Sequence, residues 1–270
     1  MLFDGQSSAP VPRVARLAPA GLSLLDSTVK TQEFSYYKVI ATGRLIEVYR
    51  AQYPFRHGNM PERDSGLHDV RSFEYKKRGA FRAMNKIRRL VQSNFDKQSK
   101  FITLTFRPSD QLNITCIPDC YVEFNKFIMR LRYKFPGIKY VAVPEFQRKN
   151  SRGAVHYHII CDMPYFSAGE LAKLWGHGFI KINRIEYSKK IGVYMSKYLS
   201  KEVRAMAGYK KYYRSLNLRS PLIFYGSKAK AMYSLLFRDH VAKIEHQMTY
   251  SSQFNGDIVY TEFNFYGEGG

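Results

Sequence analysis

Between Tyr140 and Cys161 the chain has little choice but to form a hairpin. Two apolar runs, Tyr140-Val-Ala-Val143 and Val155 to Cys161, flank the polar segment Gln147 to Gly153. Both runs are rich in β-branched and aromatic residues, and the segment between them has hairpin-loop chemistry. The second run is interrupted only by His156 and His158. Side chains two apart on a strand share a face, so these rings project together, roughly 7 Å apart at the backbone, while Tyr157 and Ile159 point the other way. Pairing the runs brings Glu145 toward the histidines. Two imidazoles and one carboxylate are then expected to converge on a point, with open positions left for a substrate.

About thirty-five residues further on, Tyr194-Met-Ser-Lys197-Tyr198 falls in a segment, Lys189 to Ser200, that reads as a helix. Tyr194, Lys197 and Tyr198 stand at i, i+3 and i+4, hence on one helix face. A cation-binding triad beside a face of tyrosines and a lysine has a chemistry, phosphodiester cleavage with a tyrosine nucleophile. A third element, Lys100 to Arg107, alternates Ile102, Leu104 and Phe106 on one face with Thr103 and Thr105 on the other.

Taken in order, Phe101-Ile-Thr-Leu-Thr-Phe106, His156-Tyr157-His158 and Tyr194-x-x-Lys197-Tyr198 resemble the three motifs of the HUH-endonuclease superfamily. The pair of tyrosines four apart most resembles rolling-circle replication initiators of phages and small plasmids. The resemblance covers roughly residues 100–202. It implies metal-dependent nicking and rejoining of single-stranded DNA at a replication origin through a 5′-phosphotyrosine. His156, His158 and Glu145 would hold Mn²⁺ or Mg²⁺, a choice consistent with mixed nitrogen and oxygen donors. By the family's Tyr-x-x-Lys pattern, Tyr194 cuts first, Tyr198 takes the strand when the circle closes, and Lys197 lowers the phenol pKa or grips the phosphate. A transposase or relaxase of the same superfamily is a second reading. A non-catalytic single-strand nucleic-acid binder on an RRM-like sheet is a third.

Charge narrows the partner. Lys and Arg outnumber Asp and Glu by 43 to 22, a net +21, and the chain holds 21 Tyr and 19 Phe against one Trp. An excess of this size points to a polyanion, and basic residues interleaved with rings suit single-stranded nucleic acid. The cations fall in two blocks. Arg71 to Leu90 carries eight Lys or Arg against Glu74 alone, with Lys76, Lys77, Arg78, Arg82, Arg88 and Arg89 as candidate DNA contacts. Residues 181–214 carry ten against Glu186 and Glu202, with Lys189, Lys190, Lys201, Lys210 and Lys211 as candidates.

No Gly-x-x-x-x-Gly-Lys-Ser/Thr loop is present, so no nucleotide cofactor is expected and unwinding falls to a host helicase, with a host polymerase extending the freed 3′ end. Three cysteines give no disulfide framework, and no stretch reaches the roughly twenty apolar residues that span a bilayer. The expected location is cytoplasmic, with no membrane partner. His177, in Trp-Gly-His-Gly, reads as an exposed turn histidine.

The expected fold is α+β: a central antiparallel sheet with helices on one face, the ferredoxin-like or RRM-like core that the resemblance implies. Residues 1–30 read as an irregular arm. Phe34 to Ile40 and Arg44 to Ala51 form an N-terminal hairpin, grouped with the endonuclease domain at 31–215, and residues 216–270 are a C-terminal extension. Within that extension Ala229 to Glu245 reads as a helix. From Gln247 onward there is no Lys or Arg, so the acidic tail is expected to be loosely attached.

Overall fold

A computed structural model of the chain describes residues 34–43, 45–56, 73–146, 153–185, 209–238 and 243–264. In chain order the described elements are β1 (Phe34–Thr42), β2 (Leu45–Arg56), α1 (Phe73–Asn94), β3 (Lys100–Leu104), α2 (Ile117–Lys134), β4 (Tyr140–Phe146), β5 (Val155–Cys161), α3 (Ala168–Trp175), β6 (Ile180–Arg184), β7 (Tyr213–Arg214), β8 (Leu222–Tyr225), α4 (Gly226–Arg238), β9 (Lys243–Ser252) and β10 (Gly256–Asn264). The fold is α+β. The chain divides into two compact units: Asp64–Pro221, and Met1–Arg63 together with Leu222–Gly270.

The Asp64–Pro221 unit is built on an antiparallel sheet of order β6-β3-β5-β4-β7. The histidine strand β5 is therefore its middle strand. Ile102, Leu104, Tyr140, Ala142, Tyr157 and Ile159 turn to one face and bury against Phe124, Phe127, Ile128 and Leu131 of α2 and Leu171 and Trp175 of α3. These apolar positions of α2 recur at three- and four-residue spacing, so one stripe of the helix faces the sheet. Pro118 begins that helix, where a missing N–H costs nothing. Ser167 caps α3 by accepting from the Glu170 N–H at 3.2 Å, and Gly176 ends it at φ 79°, a conformation that favours glycine. The Arg130 Nε–H donates to Leu174 O at 2.8 Å and ties the two helices together.

The second face of this sheet is also covered. Ile87, Leu90 and Val91 of α1 pack on Phe101, Val141, Val143 and Ile160, so helices lie on both faces rather than one. The cause is in the strands themselves: β4 and β5 are apolar at successive positions, and a strand buried on both sides needs two covering layers.

The flanking unit holds a second antiparallel sheet, of order β8-β1-β2-β10-β9. The N-terminal hairpin forms as expected, with Thr42 opposite Leu45. It pairs, however, with strands of the C-terminal extension: β1 with β8 and β2 with β10. The acidic tail is not loosely attached. β10 lies between β2 and β9, and Phe263 is 1% exposed in a core with Val39, Val48 and Leu236. The helix expected over Ala229 to Glu245 is α4, ending at Arg238, and Lys243–Ser252 is strand. Its β-branched and aromatic side chains pair with β10, and tertiary pairing overrides local helix propensity.

Candidate active site

Strand pairing fixes what the sequence left open. Glu145 stands directly opposite His156, Val143 opposite His158, and Thr103 of β3 on the other side of His158. Directly paired residues of an antiparallel sheet share a face, so Glu145, His156, His158 and Thr103 project to one side. Tyr157 goes to the other side, stacked on Phe124 at 4.1 Å between ring centroids.

His158 is nearly buried and held at both ring nitrogens. Its Nε2 lies 2.7 Å from Glu145 Oε2, and its Nδ1 lies 3.2 Å from Thr103 Oγ1. Phe101 stacks beside it at 5.8 Å. Two proton arrangements satisfy these contacts. Either Nε2–H donates to the carboxylate and Nδ1 accepts from the hydroxyl, or Nδ1–H donates to the hydroxyl and Nε2 meets the carboxylate through a shared proton or cation. The second arrangement is the one that metal-ligating histidines use, with an outer oxygen fixing the tautomer. His156 is half-buried. Burial, then the neighbouring His158, hold its pKa below the usual imidazole value, and Glu145 offsets them in part. A neutral imidazole offers a lone pair to a cation.

The donor chemistry therefore suits a divalent cation, two imidazole nitrogens and a carboxylate on one face. Among the described residues, no three His, Cys, Asp or Glu side chains are yet gathered around a common point. Glu145 and His158 instead contact each other directly.

The cations are distributed around this centre as follows. Arg82 of α1 and Lys211 are neighbours, and no acidic partner is found for either among the described residues. Burial, then Arg82, push the Lys211 ammonium below its ordinary range. A Cβ on Gly79 would come within 3.1 Å of Lys211 Nζ, so the glycine makes room for this approach. Two unneutralised like charges held together favour a phosphate between them. Arg88 and Arg89 are half-buried and already engaged. Lys210 is exposed at the start of the segment leading to β7. Lys76, Lys77 and Arg78 lie in the first turns of α1, with side chains outside the described residues, as are Tyr194, Lys197, Tyr198, Lys189, Lys190 and Lys201 altogether.

Thr103 is a site residue that sequence reasoning did not name. Its signal was the alternation of Lys100 to Arg107, which places Thr103 on the face away from the apolar core. His177 differs from the exposed turn residue expected. Its Nε2 lies 3.0 Å from Glu123 Oε2, and its ring packs against Trp175 and Phe106. Cys120 and Cys161 are buried, free packing thiols, each pushed up to about 12 by burial.

Residues 99–203 match a family model of replication-associated proteins of the ORF2 type. The matched segment begins beside β3 and contains β4, β5 and the three proposed metal ligands. No curated protein and no solved structure matches the chain.

Proposed function

We propose that this chain nicks and rejoins single-stranded DNA at a replication origin, starting and ending rolling-circle replication. The observation that carries the reading is the placement of Glu145, His156 and His158 on one face of the paired strands β4 and β5, with the carboxylate 2.7 Å from His158. It is supported by the likeness of residues 99–203 to a replication-associated family. His156, His158 and Glu145 would hold a divalent cation, exchanging the Glu145–His158 contact for a shared ion. Such an ion polarises phosphoryl oxygens and eases departure of the 3′ oxygen.

The chain's own groups do the rest. Thr103 fixes the His158 tautomer. Arg82 and Lys211 neutralise backbone phosphates. The Tyr194 phenolate attacks phosphorus, its proton passing to solvent, and the bond from phosphorus to the 3′ oxygen breaks. That oxygen takes a proton and becomes a free 3′-hydroxyl, while the 5′ side stays on Tyr194 as a phosphotyrosine. Because the linkage conserves the ester, rejoining needs no ATP. Lys197 favours the phenolate, and Tyr198 accepts the strand in the closing step.

The test is incubation of end-labelled single-stranded origin DNA with the protein and Mn²⁺, followed by a denaturing gel. A covalent adduct should form, vanish with EDTA and vanish in Tyr194→Phe. DNA that is retarded but never cut, with or without EDTA, would replace this reading with that of a non-catalytic strand binder.

A further inference from the structure

On the sheet face opposite the histidines, α2 and the segment leading through β7 enclose an open groove of about 300 Å³. Its floor is aromatic: Tyr121 and Tyr213 are stacked, 4.6 Å between centroids and 16° between planes, with Phe124 and Tyr140 beneath. Its rim is cationic, from Lys210 and Arg214, and no Asp or Glu lines it. Tyr213 pairs with Ala142 through β7, at one end of the sheet's strand order. Burial, and then Tyr121, push the Tyr213 phenol up to about 12, so this ring is neutral at any physiological pH.

We infer that this groove is a second single-strand subsite, in which one nucleobase stacks on the Tyr121–Tyr213 pair while Lys210 and Arg214 hold its flanking phosphates. The chemistry is that of sequence-tolerant strand binding: rings offer a π-face to any base, and the cations follow the backbone. The volume is at the small end of ligand pockets, enough for a base and sugar but not for a duplex. The subsite lies on the face opposite the cleavage centre. The strand that fills it therefore passes around the β7 end of the sheet, and its base stacks several nucleotides from the nick. The inference rests on the nicking reading for the identity of the strand, and it assigns Tyr121, Tyr213 and Arg214 a role that reading does not use.

Single 5-iododeoxyuridines walked along an origin oligonucleotide and irradiated on the full-length protein give the test. A crosslink into the peptide carrying Tyr121 or Tyr213 is expected from a position away from the nick. Tyr121→Leu should bind the long oligonucleotide about tenfold or more weakly, Tyr121→Phe should bind as wild type, and both should melt as wild type. Lys210→Ala should weaken the same binding. An oligonucleotide trimmed to the nick site should form its adduct equally well in wild type and Tyr121→Leu. Adduct formation with no crosslink at either tyrosine, or with unaltered long-strand affinity in Tyr121→Leu, overturns the subsite and leaves the nicking reading standing. A crosslink at the groove without any adduct in wild type supports the subsite and overturns the nicking reading instead.

Discussion

Thr103 decides which nitrogen of His158 is free. Its hydroxyl, 3.2 Å from Nδ1, can accept a proton there and leave Nε2 bare toward Glu145. Thr103→Val keeps the shape of the side chain and removes that partner. The Mn²⁺ concentration for half-maximal cleavage should rise on the order of 10–100-fold, with direct Mn²⁺ titration showing the same loss. An unchanged titration would mean that the hydroxyl orients nothing. On the opposite face, Tyr157 is fully buried and its hydroxyl has no hydrogen-bond partner among the described residues, so burial drives its pKa far upward. Removing an unsatisfied buried hydroxyl relieves a desolvation cost, typically about 1–3 kcal/mol. Tyr157→Phe should therefore melt at or above the wild-type temperature, and a clear drop would reveal a partner for that oxygen. The residue scale also shows where sequence reading stops. His156 and His158 are legible together because a strand's period of two is local. The contact of His158 with Thr103 depends on the register of β3 against β5, which no local pattern encodes. The Glu123–His177 contact spans 54 positions and was equally hidden.

At the scale of elements, the corner after α3 joins packing to charge. The Trp175 indole N–H donates to Thr105 O at 2.8 Å, and Gly178 comes so near Thr105 that a Cβ there would lie 2.3 Å from its carbonyl oxygen. The corner delivers His177 to α2, where Glu123 also accepts from Lys126 Nζ at 2.7 Å. The Lys126 bond chiefly, with His177 adding, holds the Glu123 carboxyl below its ordinary range. A carboxylate whose folded pKa is depressed adds stability above its unfolded pKa and loses it as pH falls through the folded value. Glu123→Gln should therefore be less stable than wild type near neutral pH, by roughly 0.2–1 kcal/mol for so exposed a cluster. The gap should close as the pH is lowered past the carboxylate range. Denaturant melts of both proteins across that range measure it, and a gap independent of pH would assign Glu123 a packing role instead. The helix layers were partly legible at this scale. The stripe Phe124, Phe127, Ile128, Leu131 announces the packed face of α2. The doubly apolar character of Val141, Val143 and Ile160 announces a cover on each side of the sheet, and the place of α1 follows from it.

At the scale of the whole molecule, the chain's two ends build one unit and its middle another. Composition hid this, because a tail with no Lys or Arg after Gln247 reads as an appendage while its alternation is that of a strand. β10 is an inner strand, paired with β2 on one side and β9 on the other. Ending the chain at His246 removes it, together with the buried side chains Ile258, Tyr260 and Phe263. Each large apolar side chain contributes about 1.5–3 kcal/mol by its burial. Losing three approaches the roughly 5–15 kcal/mol that holds a domain together. The truncated chain should therefore lose this sheet outright. The measurement is amide hydrogen exchange: Val39 and Val48, deep in β1 and β2, should be protected in the full chain and exchange freely in the truncated one. Protection that survives the truncation would show that β1, β2, β8 and α4 hold each other without the tail, and β10 would then be an ornament on a hairpin that needs no partner.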